Sequence, residues 1–232
     1  MPWAPELFSA AALQKLLDRR RREEELSVPY SYGLETGEFD ALVESFVGEP
    51  ELHDPVRGRV RGVRAFEGFV DEMRAWMAER HVTVDDVQRV ILEAGGFEEV
   101  VLHLDGPGGR VELPFALAAD HGADGRLGEL RIYYSARPLT GRFANRPPLL
   151  QHDRELQVPD VVTEYVESLR SDGGMALETC AVVDDGRSCA LEYNVVGVGG
   201  TPVPPQAGMA VLVRGDGGRL ATARVYGDAS PP

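Results

Sequence analysis

The sequence predicts an α+β fold in which helices precede an antiparallel sheet, and in which this order is written twice. Three observations carry the prediction. Apolar residues repeat at three and four positions up to Arg80 and then switch to strand-like alternation. Glycine-rich turns punctuate the alternating stretches at hairpin spacing. A ten-residue pattern, Gly-Arg-Leu followed by Arg-aliphatic-Tyr, recurs 93 positions downstream.

The elements follow in order. From Pro5 to Leu26 the residues Leu7, Phe8, Ala11, Leu13, Leu16 and Leu17 form a helical stripe, and Arg19–Arg22 precede Glu23–Glu25 at pairing distance on it. Tyr32–Phe46 predicts a second helix anchored by Leu34, Leu42, Val43 and Phe46, ended by Gly48-Glu49-Pro50. A short strand or turn, Glu51–Pro55, and a link through Gly58 and Gly62 lead to a third helix. Its apolar face is Val63, Phe66, Phe69, Val70, Met73, Trp76 and Met77. Strands are then expected near Val82–Glu93, Phe97–Leu104, Arg110–Asp120 and Leu127–Ser135, with turns at Asp105–Gly109 and Asp124-Gly125. Helices first and a strand meander afterwards is the α+β order, with helices on one side of the sheet.

The repeat sets the domain organisation. Gly125-Arg126-Leu127 through Arg131-Ile132-Tyr133 returns as Gly218-Arg219-Leu220 through Arg224-Val225-Tyr226. Ile91-Leu92-Glu93 resembles Ala176-Leu177-Glu178 upstream. The expected division is a complete unit at 1–136, a Pro-containing linker at 137–158, and a shortened unit at 159–232 with a helix over Val161–Leu169. The second unit has no counterpart of the His53-Asp54-Pro55 strand or of the Trp76 helix.

Composition narrows the function classes. The 232 residues carry 24 Lys+Arg against 38 Asp+Glu, a formal net charge of −14. So acidic a surface repels phosphate backbones and anionic lipids, so neither a nucleic acid nor a membrane is an expected partner. No apolar run is long enough to span a bilayer, the N-terminus lacks a secretory pattern, and Cys180 and Cys189 read as buried thiols. A cytoplasmic protein without a metal site is the expectation.

The helix pair, the Asp54-Pro55 turn, the Gly58/Gly62 link, the aromatic Phe66–Trp76 helix and the strand meander together resemble the nuclear transport factor two-like, or SnoaL-like, superfamily. The likeness covers Leu26–Ser135, with Pro159–Asp228 as a shortened copy, and looks closest to actinobacterial-type proteins with two such units in tandem. It implies a cone: a curved antiparallel sheet packed on helices (a cystatin-like α+β barrel) around an apolar cavity, here duplicated. It also implies the activities found in that superfamily, among them ketosteroid isomerases, polyketide cyclases and epoxide hydrolases. These use no cofactor, and a carboxylate in a dry cavity transfers protons on a small apolar metabolite of polyketide or terpenoid type. Other members only bind ligands or partner chains. The Arg-x-Asp strand pattern of the epoxide hydrolases is absent here, since Arg131 is followed by Ile132 and Tyr133.

Candidate residues follow from strand parity. On Gly128–Ser135, Leu130, Ile132 and Tyr134 share one face and Glu129, Arg131 and Tyr133 the other. The first should meet the helices. The second, recurring as Arg224 and Tyr226, fits a sheet-to-sheet contact between the copies or between two chains. His53 and Asp54 form the polar constellation at the expected cone mouth, read as an acid/base pair or as a turn. Glu93, matched to Glu178, is either a proton acceptor or a repeated salt bridge. Trp76, Phe69, Phe66 and Met73 belong to the core and would wall a pocket.

Overall fold

The computed structural model describes residues 39–106 and 108–228. The helix expected over Pro5–Leu26 and the first part of the one over Tyr32–Phe46 lie outside these residues. Within them a short helix α1 (Phe39–Glu44) leads to the strands β1 (Glu51–Asp54) and β2 (Gly58–Arg61) and the long helix α2 (Val63–Glu79). The meander β3 (Thr83–Ile91), β4 (Gly95–Gly106), β5 (Gly109–His121) and β6 (Leu127–Tyr133) follows. After a one-turn helix α3 (Arg137–Thr140) and an extended connector come α4 (Asp160–Gly173), β7 (Ala176–Asp184), β8 (Ser188–Val198), β9 (Thr201–Arg214) and β10 (Leu220–Tyr226).

The strands form two sheets, one of order β2-β1-β6-β5-β4-β3 and one of order β10-β9-β8-β7. In the first, β1 joins the meander by pairing parallel to β6, Leu52 beside Leu130 and His53 beside Arg131. Helix α2 lies on the concave face. Phe66, Phe69 and Val70 are buried there against Leu102, Leu104, Leu113, Ile132 and Tyr134, and Leu42 and Phe46 of the first helical segment join them. Gly62 caps α2 at φ 89°, a left-handed conformation that a side chain rarely adopts, which is why the link before the helix needs glycine.

The second sheet repeats the first in register. Glu99 pairs with Ala116, Ala118 with Arg131 and Ala116 with Tyr133. Ninety-three residues on, Glu192 pairs with Met209, Val211 with Arg224 and Met209 with Tyr226. The bulges correspond as well, between Asp86 and Gln88 on β3 and between Thr179 and Ala181 on β7. This register corrects one alignment. The counterpart of Glu178 is Asp85, not Glu93, because the bulged strands align eight residues away from the Leu-Glu similarity. The duplicated fold is therefore α+β with two curved sheets, the second backed by α4 alone through Val161, Val162 and Tyr165.

The sheets meet on the faces turned away from the helices. Val90, Phe97, Ala116, Ala118 and Tyr133 of the first pack against Ala190, Met209, Val211 and Tyr226 of the second. Large and small residues exchange places between the copies, Phe97 against Ala190 and Ala116 against Met209, so the two faces interdigitate. Arg131, 1% exposed, crosses this layer. Its Nε and Nη2 donate to Glu192 at 2.6 and 2.8 Å, and Tyr133 donates to the same carboxylate at 2.7 Å. Reciprocally, Arg224 Nε donates to Glu99 at 2.8 Å, Nη2 at 2.5 Å, and Tyr226 at 2.5 Å. Strand parity thus places Arg131, Tyr133, Arg224 and Tyr226 between the sheets.

Candidate active site

A cavity of about 320 Å³ opens between α2 and the concave face of the first sheet. Its walls are Phe69, Met73 and Trp76 from α2, Leu102 from β4, Leu113 and Phe115 from β5, and Leu139 from α3. Tyr134, just past β6, stacks on Phe115 with ring centroids 5.3 Å apart. Helical spacing puts Phe69, Met73 and Trp76 on one face, and one sheet residue in two reaches the same space. Polar groups also line it. They are Asp54, Arg57, Glu72, Arg80 and Thr140, and Arg57 Nη1 pairs with Glu72.

Asp54 is 2% exposed and ends β1, where alternation turns Leu52 and Asp54 inward. The backbone N–H groups of Val56 and Arg57 donate to its Oδ1 at 2.8 Å each, an Asx turn that holds the carboxylate rigidly. Asp54 is thus a turn former through its Oδ1, and the same residue lines the cavity. Among the described residues the hydrogen-bond partner of its Oδ2 is the Tyr134 hydroxyl, at 3.5 Å, a long bond. Burial foremost, and the charge of Asp54 next, push Tyr134 well above the usual phenol range, so this hydroxyl remains a neutral donor. Among the described residues the buried carboxylates are Asp54, Glu99, Glu192 and Asp228, and Asp54 alone lines the cavity.

The other expected site residues lie elsewhere. His53 faces the opposite side of β1 from Asp54, its Nε2 3.5 Å from both Glu51 and Glu129. Adjacent strand residues diverge, so His53 and Asp54 do not form one constellation. Glu93 is exposed in the turn between β3 and β4, outside the cavity wall. Phe66 is fully buried, its ring 5.9 Å from Phe39 and 5.4 Å from Phe46, and belongs to the core beneath the cavity rather than to its lining. Trp76, Phe69 and Met73 line it as the helical spacing requires. Tyr134, Phe115 and the Arg57–Glu72 pair were not singled out from sequence as site residues. The inward parity of Tyr134 beside Ile132 was the available signal.

Glu51, His53 and Glu129 bring three ligand atoms within 4.8 Å of one another, the one such group among the described residues. Their charge is already taken up: Arg59 lies 2.7 Å and Arg61 3.5 Å from Glu51, and Arg131 lies 3.3 Å from Glu129. The hydrogen bond from Arg59 holds Glu51 below the usual carboxylate range. Cys180 and Cys189 are free and buried, and burial pushes the Cys180 thiol up to about 11 and the Cys189 thiol up to about 12.

No protein-family model and no curated protein matches the sequence. Solved structures of similar shape include SalBIII, an epoxide hydrolase/cyclase-like enzyme in pyran ring formation in polyether salinomycin. It is 17% identical over 52% of this chain and 95% of that one, with a TM-score of 0.42. An NTF2-like protein of unknown function from Cytophaga hutchinsonii is 13% identical over 45% of this chain and 91% of that one, TM-score 0.38. A protein with a ketosteroid isomerase-like fold from Catenulispora acidiphila, in complex with trimethylamine, is 15% identical over 50% of this chain and 89% of that one, TM-score 0.40. With α2 held in the bend of a six-stranded sheet and the strand register written twice, the chain is a duplicated α+β fold, and structures of the SnoaL-like and NTF2-like kind resemble it over about half its length.

Proposed function

We propose that the first unit binds a small, largely apolar molecule in the Asp54 cavity and that Asp54 transfers a proton on it, as a cofactor-independent isomerase, cyclase or hydrolase does. One observation carries this reading: a buried carboxylate in the wall of a largely apolar chamber, with one oxygen fixed by backbone N–H groups and the other beside the Tyr134 hydroxyl. Oδ2 accepts a proton from an acidic C–H or a hydroxyl of the bound molecule. The neutral Tyr134 hydroxyl then donates to the oxygen on which charge develops, and the aromatic walls keep water from competing. Trp76, Phe69, Phe115 and Met73 supply the apolar contact, and a molecule of polyketide or terpenoid type matches that lining. The second unit serves as a support for the first.

A second reading, binding without turnover, has its own support, because neither His53 nor Glu93 joins Asp54 to make a two-group acid/base pair. The discriminating experiment is metabolite co-purification by mass spectrometry with the full chain, Asp54→Asn and Trp76→Ala, followed by incubation of whatever is captured. Proton transfer predicts that Asp54→Asn still captures the molecule but converts it roughly a hundredfold more slowly or worse, and that Trp76→Ala captures little. Equal capture by the chain and Asp54→Asn with no conversion by either establishes binding alone.

A further inference from the structure

The connector sends one part-buried side chain back into the first unit. Arg146 lies beyond α3, and its guanidinium reaches between β1 and β6. The parallel ladder of these strands sets Leu52 beside Leu130 and His53 beside Arg131. Arg146 Nη2 donates to the His53 carbonyl at 2.8 Å, and Nη1 donates to the Ile132 carbonyl. One planar group therefore bonds the residue before Asp54 and the residue two before Tyr134. Its Cζ lies 5.0 Å from the centroid of the Tyr133 ring, and the Arg146 carbonyl accepts the Ala207 N–H of β9 at 2.9 Å.

These contacts employ its donors but leave its charge unmatched. Arg131, Arg214 and Arg224 each hold a carboxylate. Arg146 makes no ion pair among the described residues, and neither does Asp54. Burial pulls the Arg146 pKa down, and Tyr133, Asp54, Tyr134 and Glu192 act against this. Glu192 is already bound to Arg131, so Asp54 is the carboxylate left to balance Arg146. The other charged or titratable groups about Asp54 are Arg57, Glu72, Arg80 and Tyr134 at the cavity and His53 across β1. Arg57 is paired with Glu72 and Arg80 with Glu79.

We propose that Arg146 is a positioning residue for proton transfer at Asp54, fixing the spacing of Asp54 and Tyr134 through the two carbonyls and favouring the ionised, proton-accepting carboxylate through its charge. This rests on the reading of Asp54 as the proton acceptor. A fork of two donors holds two strands at once, which an ammonium on a flexible stem does less well.

Base-promoted ring opening of 5-nitrobenzisoxazole, a flat and largely apolar probe, tests this with the full chain. A carboxylate takes the proton on the carbon next to nitrogen, the nitrile forms as the N–O bond breaks, and the electron pair leaves on oxygen as a coloured phenolate. The pH–rate profile is compared for the chain, Asp54→Asn, Arg146→Met, Arg146→Lys, and Gly208→Ala as a destabilised control in the second core. Asp54→Asn should be slower roughly a hundredfold or more. Arg146→Met should lower the plateau rate roughly tenfold and move the acid-side inflection up by roughly half a pH unit or more, because a carboxylate that loses a nearby positive charge is easier to protonate. Arg146→Lys keeps the charge, so its inflection should stay with that of the chain while its plateau falls. Gly208→Ala should leave the inflection where it is. An Arg146→Met profile that superimposes on that of the chain, an inflection that does not move, or one that moves equally in Arg146→Lys or Gly208→Ala overturns the role of Arg146. Equal rates for the chain and Asp54→Asn would instead remove the base itself. Should Arg146→Met fail to fold by circular dichroism, Arg146→Gln against Arg146→Lys decides on the same criteria.

Discussion

At the scale of single residues, the two buried arginine–glutamate contacts are alike in pattern and unequal in environment. Arg131 is held by Glu192 on one side and by Asp120 on the other, at 2.7 and 2.8 Å. Burial alone would lower its pKa, but the two carboxylates more than reverse this, so the guanidinium stays charged throughout. The residue matched to Asp120 in the second sheet is Val213, so Arg224 has one carboxylate and keeps a third of its side chain in solvent. The acceptors differ too. Without its arginine, Glu99 keeps donors from Tyr226 and from Gln88 at 2.6 Å, whereas Glu192 keeps Tyr133 alone. Removing one member of a buried pair strands the other, at about 3–5 kcal/mol. Arg131→Ala should therefore lose about that much in urea denaturation and Arg224→Ala measurably less. The double variant Arg131→Met with Glu192→Met should recover most of the loss, because no lone charge is left buried. Equal losses for the two single alanine variants would contradict this ordering.

At the scale of elements, the strands were legible wherever alternation faced a helix on one side. Val100, Leu102 and Leu104 on β4 and Leu130, Ile132 and Tyr134 about β6 point into the cone as their parity requires. The other face was harder to read, because a second sheet covers it. Glu99 and Glu192 lie within strands buried on both faces, where alternation disappears and a carboxylate shows no pattern of its own. Only the repeated arginines pointed to matched acceptors. Asp54 could be read from its place before Pro55, while the partnership with His53 could not hold, since a strand turns neighbours apart. The copies also diverged in how they fill one shared position. In the first unit Val100 pairs with Phe115, whose ring lines the cavity. In the second the ring comes from the other strand, with Tyr193 opposite Gly208, and it packs in the core with Tyr165, Leu191 and Leu212. A Cβ at Gly208 would lie 2.6 Å from the Tyr193 ring, which its buried neighbours hold in place. Gly208→Ala should cost about 1–3 kcal/mol by overpacking, read as a lowered urea midpoint. An unchanged midpoint would mean that the ring moves freely.

At the scale of the whole molecule, the question is whether two sheets with separate helix-facing cores unfold separately. Their cores are distinct, one about α2 and one about α4, and each would serve a domain of its own. The layer between them is different in kind. It buries Tyr133, Met209, Val211 and Tyr226 together with two charged pairs that bridge the sheets. If one sheet unfolds, the other loses its cross-sheet ion pair and bares an apolar face to water, so partial unfolding carries the cost of exposing that face. The chain is closed further at its end, where Asp228 accepts the backbone N–H groups of Ala136 at 3.1 Å and Ala144 at 2.9 Å and bonds Ser135. Cooperative unfolding follows, and it can be read with two probes. In a Trp3→Phe background, Trp76 fluorescence reports the first core, and far-ultraviolet circular dichroism reports both sheets. The two denaturation curves should coincide for the intact chain. They should separate for Arg131→Ala with Arg224→Ala, because those substitutions remove the ionic pairing that links the sheets and leave each helix-facing core intact. Curves that already diverge in the intact chain would show that the inter-sheet layer does not couple the units.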